Sequence, residues 1–349
     1  MTQFDMNEVQ LSRDVAVLTP ATVTDRPQRR VAPYRVAPAL RAELRRVGCF
    51  KADNLQGILQ VLEDWVVVLA TIVLSQAAFQ YLPWVPALGI YGLATLVIGA
   101  RQRGLRVNNH QASHKALAQN KKLNYLLGAV CSAWPTLGSF SSYDKTHNSV
   151  EHGHHPNLGT ERDADHIAVM NLGLYESGVT PEQVYRFLWM LPLKTPHYLL
   201  FLLKHQIWHP CEDRRERVVR LIAIVLLGTL LWKVGLGVVV VMYWVVPLLT
   251  TANWIGGVIQ LAQHYPLLGQ GHQSELVASR NRILNPAWSF FLSVHNDGYH
   301  LVHHLYPSIP FGKKVKQAHQ ILMKDPQYAS LHQEPQGMGL LLKQLANVG

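Results

Sequence analysis

Cysteine and charge are what this chain is short of. Its 349 residues hold three cysteines, Cys49, Cys131 and Cys211. They are odd in number and far apart, which excludes a disulfide framework and a Cys-x-x-Cys zinc site, so the thiols are read as reduced and structural. Charged residues make up only 15% of the chain against 48% hydrophobic, a balance that leans toward a membrane protein. A secretory leader is missing too: the first fifty residues are polar and basic, without the short apolar stretch and small residues of a cleavage site. No His-Glu-x-x-His occurs, which weakens a zinc hydrolase reading. The Glu-x-x-His spacing of soluble carboxylate-bridged di-iron bundles occurs only at Glu151 to His154, where such bundles need it on two helices. Neither a His-Pro-Gly-Gly haem signature nor a cysteine cluster for iron–sulfur is present.

Histidine is plentiful instead, with 18 in the chain. Three dense clusters stand beside long apolar runs: His110 and His114, His147 through His155, and His300, His303 and His304. Imidazole is the commonest side chain for binding transition metals, and a pair at i, i+4 lies on one helix face, so both rings can address one ion. A metal centre at a membrane surface is the first expectation. Box two is open to several assignments. On a continuous helix His147, Glu151, His154 and His155 share one stripe with His152 rotated away, whereas a break at Gly153 brings His152 back. His147, His152, His154 and His155 are therefore candidate ligands, and Glu151 is a carboxylate ligand or an outer hydrogen-bond acceptor.

The apolar runs predict an all-α integral membrane fold. Residues 62–82 and 85–100 are near the length that crosses a hydrocarbon core, and the Pro83-Trp84 turn makes them a tight hairpin. A second block, 219–261, is too long for one crossing and is divided by 233–237 into a second hairpin. Segment 187–203, interrupted by Pro192, Lys194, Pro196 and His197, is read as lying in the interface or packed on the hairpins. Arg41, Arg45, Arg46 and Lys51 precede the first span and Arg101, Arg103 and Arg106 follow the second. Arg214, Arg215, Arg217 and Arg220 precede the third, and Lys313, Lys314 and Lys316 follow the fourth, whereas the outer turns carry only Lys233. The positive-inside rule puts both termini in the cytoplasm, with all three histidine clusters on that side in a helical cap holding the metal centre; in a bacterium the membrane would be the inner one. The expected organisation is a basic segment 1–54, a membrane domain 55–320 and a tail 321–349. The net charge of +10 needs no nucleic acid, since basic residues beside spans meet anionic lipid or water.

A His-x-x-x-His box after a helical hairpin, a second histidine-rich box some forty residues on and a late His-x-x-His-His box resemble the membrane fatty acid desaturase superfamily. The stretch 296–310, Asn-Asp-Gly-Tyr-His-Leu-Val-His-His-Leu-Tyr-Pro-Ser-Ile-Pro, is similar to that family's third box well beyond the histidines. Leu158 and Gly159 with the acidic run Glu161, Asp163 and Asp165 resemble the continuation after box two. The resemblance spans roughly 55–320 and implies a non-haem di-iron site, two Fe ions held mostly by imidazole, that uses O2 to desaturate a fatty acyl or lipid chain. It implies His110, His114, His154, His155, His300, His303 and His304 as catalytic ligands and His264 as a further one. Electrons would come from a separate ferredoxin- or cytochrome-type protein. Box two departs from the family form, since Val150 or Glu151 stands where its first histidine belongs.

A hydroxylase or related oxygenase on the same scaffold is the alternative function, and spacing does not separate the two. A non-enzymatic membrane metal-binding protein is weaker, because transport histidines belong within spans. His197, His205, His209, His272, His319 and His332 lack ligand spacing and are read as ordinary. His166 and His295 are placed at most behind the ligands. Trp65 and Trp84 fit an aromatic belt, while Trp244 and Trp254 line a channel or pack helices. Asn253 is read as a channel wall or an interhelical hydrogen bond.

Overall fold

The protein is seen in a computed structural model that describes residues 31–151, 153–163, 165–167, 180–203, 207–269 and 273–331, with 339 and 343. Among them it is helical apart from a two-residue parallel pairing of Val31–Ala32 with Gln273–Ser274. Helix α1 is Pro38–Arg46, α2 Asn54–Tyr81 and α3 Trp84–Ser113. Box two opens on α4, Phe140–Asn148, and α5 is Pro181–Met190. Helix α6 is Arg214–Lys233, and α7, Gly237–His264, passes through a π-helical turn at Val241–Val245. Box three lies on α8, His300–Leu305, followed by α9, Lys313–Leu322.

Among the described residues three helices, α2, α3 and α7, are long and apolar enough to cross a membrane. Helix α6, 20 residues long, has a shorter continuous apolar stretch, 221–232, than these three. Its N-terminal turns are charged, and Glu216 and Arg220 are its buried residues. The outer faces are apolar and bare: Leu62, Val66, Leu69 and Val73 on α2, and Val225, Leu226 and Leu230 on α6, are exposed. So much contiguous apolar surface needs a lipid covering.

Asp53 caps α2, its carboxylate accepting from Gln56 N at 2.7 Å. Helix α3 opens after Pro83, and its 30 residues make a rod roughly 45 Å long at ~1.5 Å per residue. About 20 residues suffice for the hydrocarbon, so the last three turns project beyond it. Nearly every residue from Ile98 to Ser113 is buried. Gly99 allows the close approach of α7, since a Cβ there would meet Thr251 Oγ1 at 2.3 Å and Ala252 N at 2.7 Å. Polar side chains along this stretch have buried partners: Asp64 accepts from Asn108 Nδ2 at 2.9 Å, and Gln60 Nε2 donates to Asn108 Oδ1 at 2.6 Å.

The segment from α5 to Leu202 packs on α7, where Val184 and Leu188 share a core with Val258, Leu261 and Ala262. This is the packed arrangement expected from its interrupted pattern. Trp65 is half-buried, stacked on Trp244 at 5.2 Å with Nε1 donating to Cys131 O at 2.9 Å. Trp84 is exposed, as a belt residue is. A second core, away from the spans, joins Leu44 and Cys49 near α1 to Leu301 and Val302 of α8, Val315 and Ala318 of α9, and Tyr328. This cap therefore draws on residues before 54 and after 320.

Candidate metal centre

Nine histidines converge in two groups between α3, box two, the end of α7 and α8. The ring nitrogens of His110, His114, His147, His155 and His303 lie within 4.8 Å of one another, as do those of His154, His264 and His304. His300 joins the second group, its Nε2 lying 2.9 Å from His264 Nε2 and 3.0 Å from His304 Nε2. Helix geometry sorts them. On α8, His300 and His304 are one turn apart and face one group, while His303, about 100° from His304 around the axis, faces the other. On α3, His110 and His114 are again i, i+4 and share the first group.

Box two reaches both groups because the chain doubles back. Helix α4 ends at Asn148, so the continuous-helix stripe does not form. His154 N then donates to Thr146 O at 3.1 Å and His155 N to His147 O at 3.2 Å. Gly153 makes the turn possible, for a Cβ there would meet Ser149 O at 2.4 Å and Ser149 N at 2.6 Å. Adjacent in sequence, His154 and His155 point to different groups. Glu151 is exposed and in neither. His152 lies outside the described residues.

Spacing and protonation fit metal ions. Nε2 atoms are 2.7 Å apart for His110 and His303, 3.0 Å for His110 and His147, and 3.0 Å for His155 and His303. Two nitrogens each ~2.1 Å from one ion at a right angle are separated by roughly 3 Å. His264 Nδ1 is 3.0 Å from the Ala278 carbonyl, which only accepts, so the ring proton sits on Nδ1 and Nε2 presents a lone pair. His154 Nδ1 likewise meets Asp163 Oδ1 at 2.8 Å, and its Nε2 lies 3.3 Å from that of His264. Without metal, His154 Nε2 can donate to the His264 Nε2 lone pair across this gap; loss of that proton leaves both nitrogens free to ligate one ion. His114 Nε2 is buried with no hydrogen-bond partner among the described residues, another donor atom suited to a metal.

Burial, reinforced by neighbouring rings, holds His147, His155, His300, His303 and His304 well below the usual histidine range, and His114 down at about 4. All are neutral, the form that ligates. His154 is the exception: against burial, the charge and hydrogen bond of Asp163 push it up to about 9. Asp163 itself stays low despite burial, held by His154 and by the amides of Gly159 and His166. It also accepts from Gly159 N at 2.9 Å.

Sequence reasoning did not assign Asp163 this backing role, although the acidic run drew notice; it follows His154 by nine residues, a spacing with no helical meaning. It missed the Ala278 carbonyl, which has no side-chain signal, and Tyr143, stacked on His147 at 4.9 Å. His295 turns away to Asp64 Oδ2 at 2.8 Å, His319 Nδ1 meets Tyr328 OH at 2.9 Å, and His209 Nδ1 accepts from Cys211 N at 3.1 Å. None belongs to either group, and His166 is buried outside both. His205, His272 and His332 and the side chain of His197 lie outside the described residues. Asn253 is half-buried on α7.

Two comparisons bear on this centre. A family model described as fatty acid desaturase matches residues 86–335, a stretch that contains all nine clustered histidines. The dihydrorhizobitoxine desaturase of Bradyrhizobium elkanii is 31% identical over 292 residues, covering 80% of this chain and 79% of that protein. Histidines converging at the ends of membrane-length helices and similarity across most of the chain lead to one assignment: the protein belongs to the fatty acid desaturase family.

Proposed function

We propose that the protein is a membrane-bound, O2-dependent di-iron desaturase that introduces a double bond into a fatty acyl or lipid chain. One iron would be held by His110, His114, His147, His155 and His303, and the other by His154, His264, His300 and His304. The observation that carries this is the pair of buried imidazole groups with converging Nε2 atoms. Bound iron supplies the activation of dioxygen and the power to take hydrogen from an unactivated C–H bond.

The chain's own residues do the rest. Burial keeps the imidazoles other than His154 deprotonated at the ligating nitrogen and excludes water from the centre. Asp163 and the Ala278 carbonyl fix the proton of their histidines on Nδ1, which orients the rings. Phe311, edge-on to His110 at 5.9 Å and close to His303 at 5.3 Å, walls one side with apolar surface. The apolar helices give a lipid-like substrate direct access from the bilayer. In this reading α6 also crosses and pairs with α7 as a second hairpin, so both termini and the metal centre face the cytoplasm, where the cations flanking the spans cluster, and electrons come from a separate donor protein.

The desaturase name of the relative supports loss of hydrogen over insertion of oxygen. Since that name gives dihydrorhizobitoxine as its substrate, the test covers both lipid and water-soluble extracts. The chain is expressed in a host and the extracts are compared by mass spectrometry with those of a His303→Ala control. A product lacking two hydrogens is expected. A product carrying one added oxygen would replace desaturase with hydroxylase, and no metal-dependent product would overturn the reading.

A further inference from the structure

Removal of two hydrogens with reduction of O2 to two waters consumes two electrons and two protons from outside. The three scattered cysteines hold no iron–sulfur centre to deliver them, so a surface must exist where reducing equivalents enter. On the desaturase reading above, we infer that the basic face of the cap is that surface, and that it docks an acidic one-electron donor protein at a cleft closed by the end of α8.

The cleft holds about 650 Å³ and is lined by Tyr34, Arg35, Pro38, Arg41, Leu305 and Tyr306. Its floor continues the ligand helix: Leu305 and Tyr306 directly follow His304. Tyr306 is wedged edge-on against Phe50 at 5.7 Å, so the floor is fixed in the cap core. Around it Arg35, Arg41, Arg45 and Arg46 are exposed, and α9, packed on α1 through Leu44, Val315 and Ala318, adds exposed Lys313 and Lys316. None of these six cations forms an ion pair among the described residues. The one acid of α1, Glu43, is occupied by Lys324 Nζ at 2.7 Å. Two carboxylates, Glu275 and Asp325, lie at Tyr34, so the cations around the concavity remain in excess, and such an excess steers an anionic partner and fixes its orientation.

The composition of α1 decides against the membrane as occupant. A helix that lies in a bilayer surface needs large apolar residues on its lipid face. The apolar residues of α1 point the other way: Leu44 is fully buried and Leu40 packs on the same core. What remains outside is Pro38, Ala39, Arg41, Ala42, Arg45 and Arg46, a charged face with small residues between, suited to a water-soluble acidic protein.

The test uses iron-loaded holoenzyme in nanodiscs of zwitterionic lipid, with a reduced acidic [2Fe–2S] ferredoxin and a reduced acidic cytochrome as probes, followed by stopped-flow absorbance. Oxidation of at least one probe should slow about tenfold or more at low salt in the Arg41→Glu/Arg45→Glu protein and lose most of its salt dependence. Arg214→Glu/Arg215→Glu, the same charge change elsewhere, should react like wild type. Reduction by dithionite should be equal in all three. A wild-type rate in the cap variant, an equal loss in the control, or failure of both probes where dithionite succeeds would each overturn the docking site. Loss of binding to phosphatidylserine vesicles with unchanged donor rates would assign the face to lipid and overturn it as well. A wild-type centre that not even dithionite reduces would instead bring down the di-iron reading, and this proposal with it.

Discussion

The two histidine groups are built on different principles. The first gathers five rings from three elements, α3, box two and α8, and no backing acceptor is seen behind any of them among the described hydrogen bonds. The second has four rings, two of them anchored from behind, His154 by Asp163 and His264 by the Ala278 carbonyl. One group is secured by the number of its donors, the other by the orientation of fewer. The first should therefore fail only when a shared ring is lost, and the second when its supports are altered.

His303 offers the harshest test, because its Nε2 lies beside both His110 and His155. His303→Ala should bring product formation below detection and reduce bound iron, with membrane insertion unchanged, since insertion depends on the apolar helices. Activity normalised to membrane-embedded protein decides it, and full activity would dissolve the distinction between the groups. Gly153→Ala comes next. Its Cβ has no room beside the backbone of Ser149, so His154 and His155 must both shift, and product formation should fall at least about tenfold. Normal activity in that variant would mean that the box-two turn does not position ligands.

Asp163→Asn should act on one group alone. Removing a carboxylate behind a ligating histidine weakens metal affinity about 10–100-fold, so chelator challenge should strip one of two ions faster than in wild type. Proton competition sharpens this further. His154 is pushed up to about 9 in the metal-free protein, so at neutral pH the second group must release a proton to bind, and its apparent affinity should fall about tenfold per unit as pH drops below about 9. The first group, with His114 at about 4 and the others low, has no such proton to lose in that range. Stepwise metal titration at pH 7 and pH 9 should separate the two sites, and Asp163→Asn should abolish the difference. The smallest effect is expected from His319→Ala, which costs one hydrogen bond to Tyr328 OH and about 1 kcal/mol of stability. Thermal melting should register it while product formation stays within twofold.

What could be read in advance follows the same divide. Boxes one and three lie on helices, where i, i+3 and i, i+4 spacing has a geometric meaning, and His110, His114, His300, His303 and His304 are brought together accordingly. Box two ends its helix at Asn148 and doubles back, so no helical wheel could tell that neighbouring His154 and His155 serve opposite sides. Asp163 and Ala278 act through the tertiary fold, one of them by a backbone atom that every residue has. The spans were legible as apolar runs, yet α3 extends to Ser113, well beyond the run that closes at Ala100. Arg101, Gln102, Asn108 and Asn109 look like the end of a span because they are polar; they are buried against protein instead.

That unbroken α3 has a consequence for how such a chain can vary. A single rod carries both the lipid-crossing turns and the His110 and His114 pair, without a hinge between. One residue inserted anywhere along it would turn the pair by about 100° and lift it ~1.5 Å, enough to swing both nitrogens out of their group. Letters on the lipid side can change freely while the count of them cannot, so the bilayer-crossing half of the helix serves as a ruler for the chemistry at its end.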